Sequence, residues 1–237
     1  RNRSDGVDFE QGSQHNWLGG ESVLERNVIS GNDSEGIEIS HGTWTQFNKV
    51  VGNYFGLNAA GTAPVPNKNN GISFEDTVDQ NEAYNNVVSG NWDSGFRFYV
   101  LATRNIVRNN VVGLAADNLT PMPNRDYGVH VHGGSQYNQI VENVIAHNDN
   151  HGVFLTSTSD EDNNYIGKTY YNTISRNSLY ANKGAGISFY GKRDIVPNEN
   201  RAAPRIERAN SARVAGTGCA GCKIEVFVAD KAGLTSG

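Results

Sequence analysis

Seven short segments share one alternation, a Gly followed by apolar–x–apolar. They run from Gly6 to Phe9, Gly36 to Ile39, Gly71 to Phe74, Gly95 to Phe98, Gly128 to Val131, Gly152 to Leu155 and Gly186 to Phe189. A period of two predicts short strands with one buried face. No window holds a 3.6-residue period over twelve residues, so no amphipathic helix is predicted. Four residues before every Gly stands an Asn: Asn2, Asn32, Asn67, Asn91, Asn124, Asn148 and Asn182. Further Asn residues recur nine before the Gly (Asn27, Asn86, Asn143, Asn177) and five earlier again (Asn81, Asn138, Asn172). The pairs Asn48/Asn53 and Asn105/Asn110 repeat this spacing, displaced by inserted residues.

Successive Gly residues lie 30, 35, 24, 33, 24 and 34 positions apart. The base unit is therefore 24 residues with insertions, and it holds three strand-like segments with a turn at each corner. Such a unit cannot bury its own apolar face, whereas stacked copies can. The expected architecture is an all-β parallel solenoid of about seven coils over residues 1–194. Corner Asn residues are expected to form structural ladders, their amides bonding the backbone of adjacent coils.

Two insertions copy one another. Phe55 to Gly71 aligns without a gap on Val112 to Gly128, and both carry Pro-x-Pro-Asn (Pro64, Pro66, Asn67; Pro121, Pro123, Asn124). A third insertion, from Ser157 to Tyr171, carries Asp160, Glu161 and Asp162. Beyond Ile195 the repeat stops. Pro197 and Pro204 mark a linker, and Gly216 to Asp230 reads as part of a separate β module, giving a second region at 195–237.

Composition supports this reading. The chain has 27 Gly and 31 Asn among 237 residues, both suited to turns and left-handed backbone and neither to helix interiors. The net charge of −5 argues against a nucleic-acid partner, which calls for a basic stripe. No apolar run approaches the ~18 residues of a membrane span. The start at Arg1 and the end just after a strand-like run read as a fragment of a larger multidomain chain. Cys219 and Cys222 form a lone Cys-x-x-Cys without a second zinc pair or a βαβ setting. A small disulfide is the preferred reading, and it points to a secreted or cell-surface setting.

The Asn-x-[Val/Ile] segments followed by Gly-[Ile/Val]-x-[Ile/Phe] resemble the repeats of the right-handed parallel β-helix superfamily, the pectate-lyase-like fold. The resemblance covers residues 1–194 and implies a right-handed solenoid. It leaves function open among lyases, hydrolases, epimerases, tailspikes and adhesins.

Stacking also predicts a surface. Residues one and three after each Gly should point inward, and all fourteen are apolar. Residues two and four should then form outward columns. The first column reads Asp8, Glu38, Ser73, Arg97, His130, Phe154 and Ser188; the second reads Glu10, Ser40, Glu75, Tyr99, His132, Thr156 and Tyr190. Carboxylates on early coils give way to Arg, Tyr and His on middle coils, and the Pro-rich insertions are expected to wall a groove along this face.

Two chemistries suit the face, with a polysaccharide as partner. Elimination or C5 epimerisation of a uronate needs a cation for the carboxylate, a base and an acid. Arg97 offers the first, and His130, His132 and Tyr99 the others. Hydrolysis needs paired carboxylates, and Glu38 and Glu75 would lie roughly 8 Å apart on a diagonal. Asp76, Tyr190, Asp8 and Glu10 are candidate substrate contacts. A non-catalytic adhesin or stalk is the remaining alternative. No cofactor is required, although Asp160, Glu161, Asp162 and Asn163 gather oxygen ligands of the kind calcium takes. His15, His41, His147 and His151 carry no assigned chemistry. Trp44 is a candidate sugar platform, with loop packing as its other reading.

Overall fold

The structure is a computed structural model that describes residues 2–157, 167–191, 197, 204–210 and 213–221. Three parallel sheets run the length of the solenoid. The first has seven strands: Val7–Phe9, Ile37–Ile39, Ile72–Phe74, Phe96–Phe98, Val129–Val131, Val153–Ser157 and Ile187–Gly191. The second runs from Trp17–Gly19 through Lys49–Val51, Glu82–Tyr84, Ile106–Arg108 and Gln139–Val141 to Thr173–Ser175. The third comprises Val28–Ile29, Tyr54–Phe55, Val87–Val88, Val111–Val112, Val144–Ala146 and Ser178–Tyr180. Among the described residues this makes six complete coils and the first strand of a seventh, slightly short of the seven expected.

Register follows the repeat. Asp8 pairs with Glu38, Glu38 with Ser73, Ser73 with Arg97, Arg97 with His130 and His130 with Phe154. The interior is one side-chain layer per coil: Ile37, Ile39, Ile72, Phe74, Phe96, Phe98, Val129 and Val131 are fully buried. The Phe74 and Phe98 rings stack at 5.0 Å. Each leading Gly sits where the backbone passes close beneath its neighbour. A Cβ on Gly71 would lie 2.3 Å from Val88 Cγ1, and one on Gly95 would lie 2.6 Å from Val112 Cγ1. The inward rule weakens at the ends, where Val7 and Phe9 are half-buried and Ile187 and Phe189 are about 40% exposed. No described strand covers these last two.

Asparagine ladders bind the coils at all three corners. In each, one Oδ1 accepts both the backbone N–H and the side-chain amide of the Asn one coil earlier. Asn86 N and Nδ2 lie 2.9 and 3.0 Å from Asn110 Oδ1. Asn110 Nδ2 in turn donates to Ala83 O and Asn143 Oδ1, each at 3.0 Å. The ladder that starts at Asn16 joins Asn48, Asn81, Asn105, Asn138 and Asn172. Asn16 is absent from the sequence pattern because a six-residue insertion carrying a 3₁₀ turn, Val23–Glu25, shifts its spacing.

The twin Pro-rich insertions do not wall the first sheet. They pack on the third: Leu57, Ala115 and Met122 cluster with Tyr54 and Val87. Each closes on itself through a bridge, Leu57 with Pro64 and Leu114 with Pro121, and Ala116 N donates to Gly61 O at 3.0 Å. Their apolar residues find cover on the exposed third-sheet column, which overrides the expectation from strand order. The Asp160–Asp162 loop lies outside the described residues. Arg205–Ala209 pairs antiparallel with Val214–Thr217, and the Lys223–Val228 segment expected as a strand lies outside the description. Cys219 is disulfide-bonded; Cys222 is not among the described residues.

Replacing Asn110 by Ala would orphan two backbone or amide donors above it and the Ala83 carbonyl below. At about 1–3 kcal/mol per orphaned buried group, equilibrium urea denaturation should show a loss of several kcal/mol. Asn58→Ala, at a half-buried position of an insertion loop outside the ladders, should change stability less.

Candidate functional site

The outward columns of the first sheet form two regions. Over the middle coils, Arg97 is the hub. Its Nη1 lies 3.3 Å from Glu75 Oε1, its Nε donates to His132 Nε2 at 3.1 Å, and its guanidinium sits 4.3 Å over the Tyr99 ring. His132 stacks on Tyr99 at 4.4 Å and on His130 at 4.0 Å, the two imidazoles being parallel within 1°. Tyr127 and Phe154 close around His130 at 4.7 and 5.4 Å, and Thr156 Oγ1 lies 3.4 Å from His130 Nε2. The columns thus bring Arg97, Tyr99, His130, His132 and Glu75 into one contact network.

Burial sets the protonation. It pushes His130 down to about 3, with the Arg97 charge adding to the effect, and pushes His132 down still further, helped by His130 and Arg97. Both rings are neutral at physiological pH. Because His132 Nε2 accepts from Arg97, its proton resides on Nδ1. Burial raises Glu75, Arg97 opposes that rise, and Glu38 adds to it. Glu75 Oε1 is buried against Arg97, and the buried Ser73 hydroxyl beside it works with Arg97 against the rise.

Early coils carry the acidic region. Carboxylate oxygens of Asp5, Glu35 and Glu38 lie within 4.8 Å of one another, the one group among the described residues in which three acidic ligands could meet a cation. Asn69 Nδ2 and Asn70 Nδ2 already donate to Glu35 Oε1 at 2.6 and 3.3 Å, and Ser34 donates to Oε2. Burial, with the neighbouring Asp5 and Glu75 charges, raises Glu35 to about 7. Asp5 is held low instead: hydrogen bonds from Glu35 and Ser4 outweigh its own burial. Burial first, then Asp5, Glu38 and Glu10, raise Asp8. Glu10 and Asp76, two coils apart, meet at His41, 3.3 and 4.0 Å from its two nitrogens. Tyr190 stands apart at the far end, half exposed.

Not every outward position faces water. Ser40, Ser73 and Thr156 are buried on the face, Ser40 against His41 and Thr156 beside His130. Conversely, four of the seven residues just before a leading Gly join the face: Asp5, Glu35, Tyr127 and His151. Strict alternation hides these because the corner turn breaks it. Their signal was the recurrence of chemistry-bearing residues at one fixed repeat position. Trp44 is 70% exposed.

The profile described as "Right handed beta helix region" matches residues 1–169. The chain belongs to the right-handed beta helix family. No curated protein matches this β-helix chain. Among solved structures, it resembles a point mutant of the periplasmic alginate epimerase AlgG, with TM-score 0.47 and 18% identity over 79% of this chain and 42% of that one. Another AlgG structure gives TM-score 0.39 and 17% identity over 68% and 42% of the two chains. This β-helix therefore spans less than half the length of those chains. No helix among its described residues is long and apolar enough to cross a membrane.

The raised Glu35 has a stability consequence. The folded state holds its proton up to about pH 7, whereas the unfolded side chain loses it near 4.5. Between these values the native state binds more protons, so this contribution is complete below pH 4.5 and fades as pH rises through 7. Thermal melting of the wild type should fall across that window. Glu35→Gln should flatten this part of the profile.

Proposed function

We propose that this β-helix binds an extracellular acidic polysaccharide along the outer face of its first sheet and acts on a uronate residue at C5, as a lyase or an epimerase. The observation that carries the reading is the Glu75–Arg97–His132–Tyr99–His130 network. The roles follow from its geometry. Arg97 faces the substrate carboxylate, and Glu75, 3.3 Å from its Nη1, holds the guanidinium in place. His132 has its lone pair engaged by Arg97, so it positions that guanidinium. His130 is the base. Its low affinity for a proton rises once a bound carboxylate offsets Arg97, whose charge helps to hold it down. Tyr99, packed against Arg97 and His132, is the acid for the leaving oxygen or for the opposite face. The acidic early coils repel a polyanion, which confines the uronate to the middle coils. The disulfide at Cys219 supports an oxidising, extracellular setting.

Hydrolysis is the second reading. Burial raises Glu75, with Glu38 and Asp76 adding to the rise, and neighbouring carboxyl groups are what an inverting glycosidase uses.

Incubation with polyuronates such as alginate and polygalacturonate separates the readings. Elimination gives unsaturated ends that absorb in the ultraviolet, epimerisation gives inverted C5 signals by NMR, and hydrolysis gives plain reducing ends. Arg97→Ala and His130→Ala should each lower turnover by at least about 100-fold with far-ultraviolet dichroism unchanged. Turnover at the wild-type rate in both variants would exclude the mechanism.

A further inference from the structure

A second surface, on the opposite side of a corner from the first sheet, has its own organisation. One residue before each Asn of the ladder that starts at Asn16, the backbone turns left-handed: His15, Phe47, Gln80, Arg104, Tyr137 and Tyr171 have φ between 51° and 58°. That conformation lifts each side chain out from the corner at the same place in every coil. All six are flat groups. His15 stacks on Phe47 at 5.1 Å and Tyr137 stacks on Tyr171 at 5.1 Å, so a ring pair stands at each end of the column. Gln80 and Arg104 occupy the two coils between, where three coil spacings span roughly 14 Å.

A groove of about 640 Å³ lies here, lined by Trp17, Phe47, Gln80, Arg104, Tyr137 and Gln139 among others. Its floor is held in place. Asp79, 6% exposed, accepts hydrogen bonds from Thr103, Gln80 and Arg104. Carboxylates accompany the cations of the groove: Arg104 is held by Asp79, and Lys49, 4.8 Å over the Trp17 ring, stands in strand register with Glu82, which Arg108 engages. Large aromatic surface nonetheless stays open, Trp17 being 56% exposed, Tyr137 50% and Tyr171 58%.

We propose that this groove is a second glycan site, separate from the first-sheet face, and that it takes a neutral polysaccharide chain. A sugar ring offers an apolar C–H face and a rim of hydroxyls. The groove offers flat rings for the first and amide and guanidinium donors for the second, with Arg104 fixed by Asp79 and Lys49 over the Trp17 ring. An acidic chain would meet Glu82 and Asp79 beside the groove's cations, and an extended apolar partner would cover Gln139 and the outer faces of Gln80 and Arg104 without offering them hydrogen bonds.

The intact chain should be titrated with neutral soluble glycans (a β-linked glucose hexamer, xylan and mannan) and with a uronate oligomer. Tryptophan fluorescence and calorimetry are the readouts. At least one neutral glycan should bind, and Trp17→Ala and Tyr137→Asn should each weaken that binding about tenfold without lowering the melting temperature. Asn is chosen at position 137 because it tolerates the left-handed backbone. Arg97→Ala, on the other face, should bind neutral glycan as the wild type does, so failure of this site and failure of the first-sheet reading are distinguishable. Absence of binding to all neutral glycans, binding of the uronate oligomer alone, or undiminished affinity in both groove variants would overturn the proposal.

Discussion

Everything in this molecule depends on a side-chain amide that can be satisfied in only one register. A buried asparagine at each corner must place its oxygen under two donors of the coil before and its nitrogen on a carbonyl and the next amide. A one-residue slip would orphan these groups at three corners per coil and turn the apolar residues outward. The hydrophobic interior alone would not hold this alignment, because a layer of Ile, Val and Phe tolerates some sliding. Directional bonds in a dry corner do not.

That alignment turns a one-dimensional sequence into columns. Chemistry distributed at wide intervals along the chain, such as Glu75, Arg97 and His132, becomes adjacent at strand spacing. Once adjacent, the groups alter each other. Burial, helped by the Arg97 charge, keeps both imidazoles neutral, and burial, helped by neighbouring carboxylates, raises Glu35 and Glu75. A graded surface results, acidic at one end and aromatic and cationic in the middle. An ordinary solvated strand face would not show such shifts, because water would screen the charges.

Insertions enter only between ladder positions, where they leave the amide columns intact. The twin Pro-rich loops cover the third sheet with their own apolar residues, and so leave the first and second sheets open. The two open faces differ in kind. One concentrates titratable groups in contact; the other sets exposed rings around amide and guanidinium groups, two of which are held by Asp79.

The repeat of Gly, alternating apolar residues and Asn determined the parallel solenoid, its register, the inward residues and membership of the two outward columns, because each rests on a local period that stacking merely multiplies. The contact of Tyr99 with His132 followed from the same register. What tertiary structure alone decided was everything that depends on side-chain direction and cover. Asp5, Glu35, Tyr127 and His151 joined the face because the corner turn redirects them. Ser40, Ser73 and Thr156 left it because their short side chains are buried among their neighbours. The Pro-rich loops chose the third sheet because Leu57 and Met122 found apolar partners there. Arg97's engagement by Glu75 and His132 is likewise a matter of rotamers and burial, which no sequence period encodes.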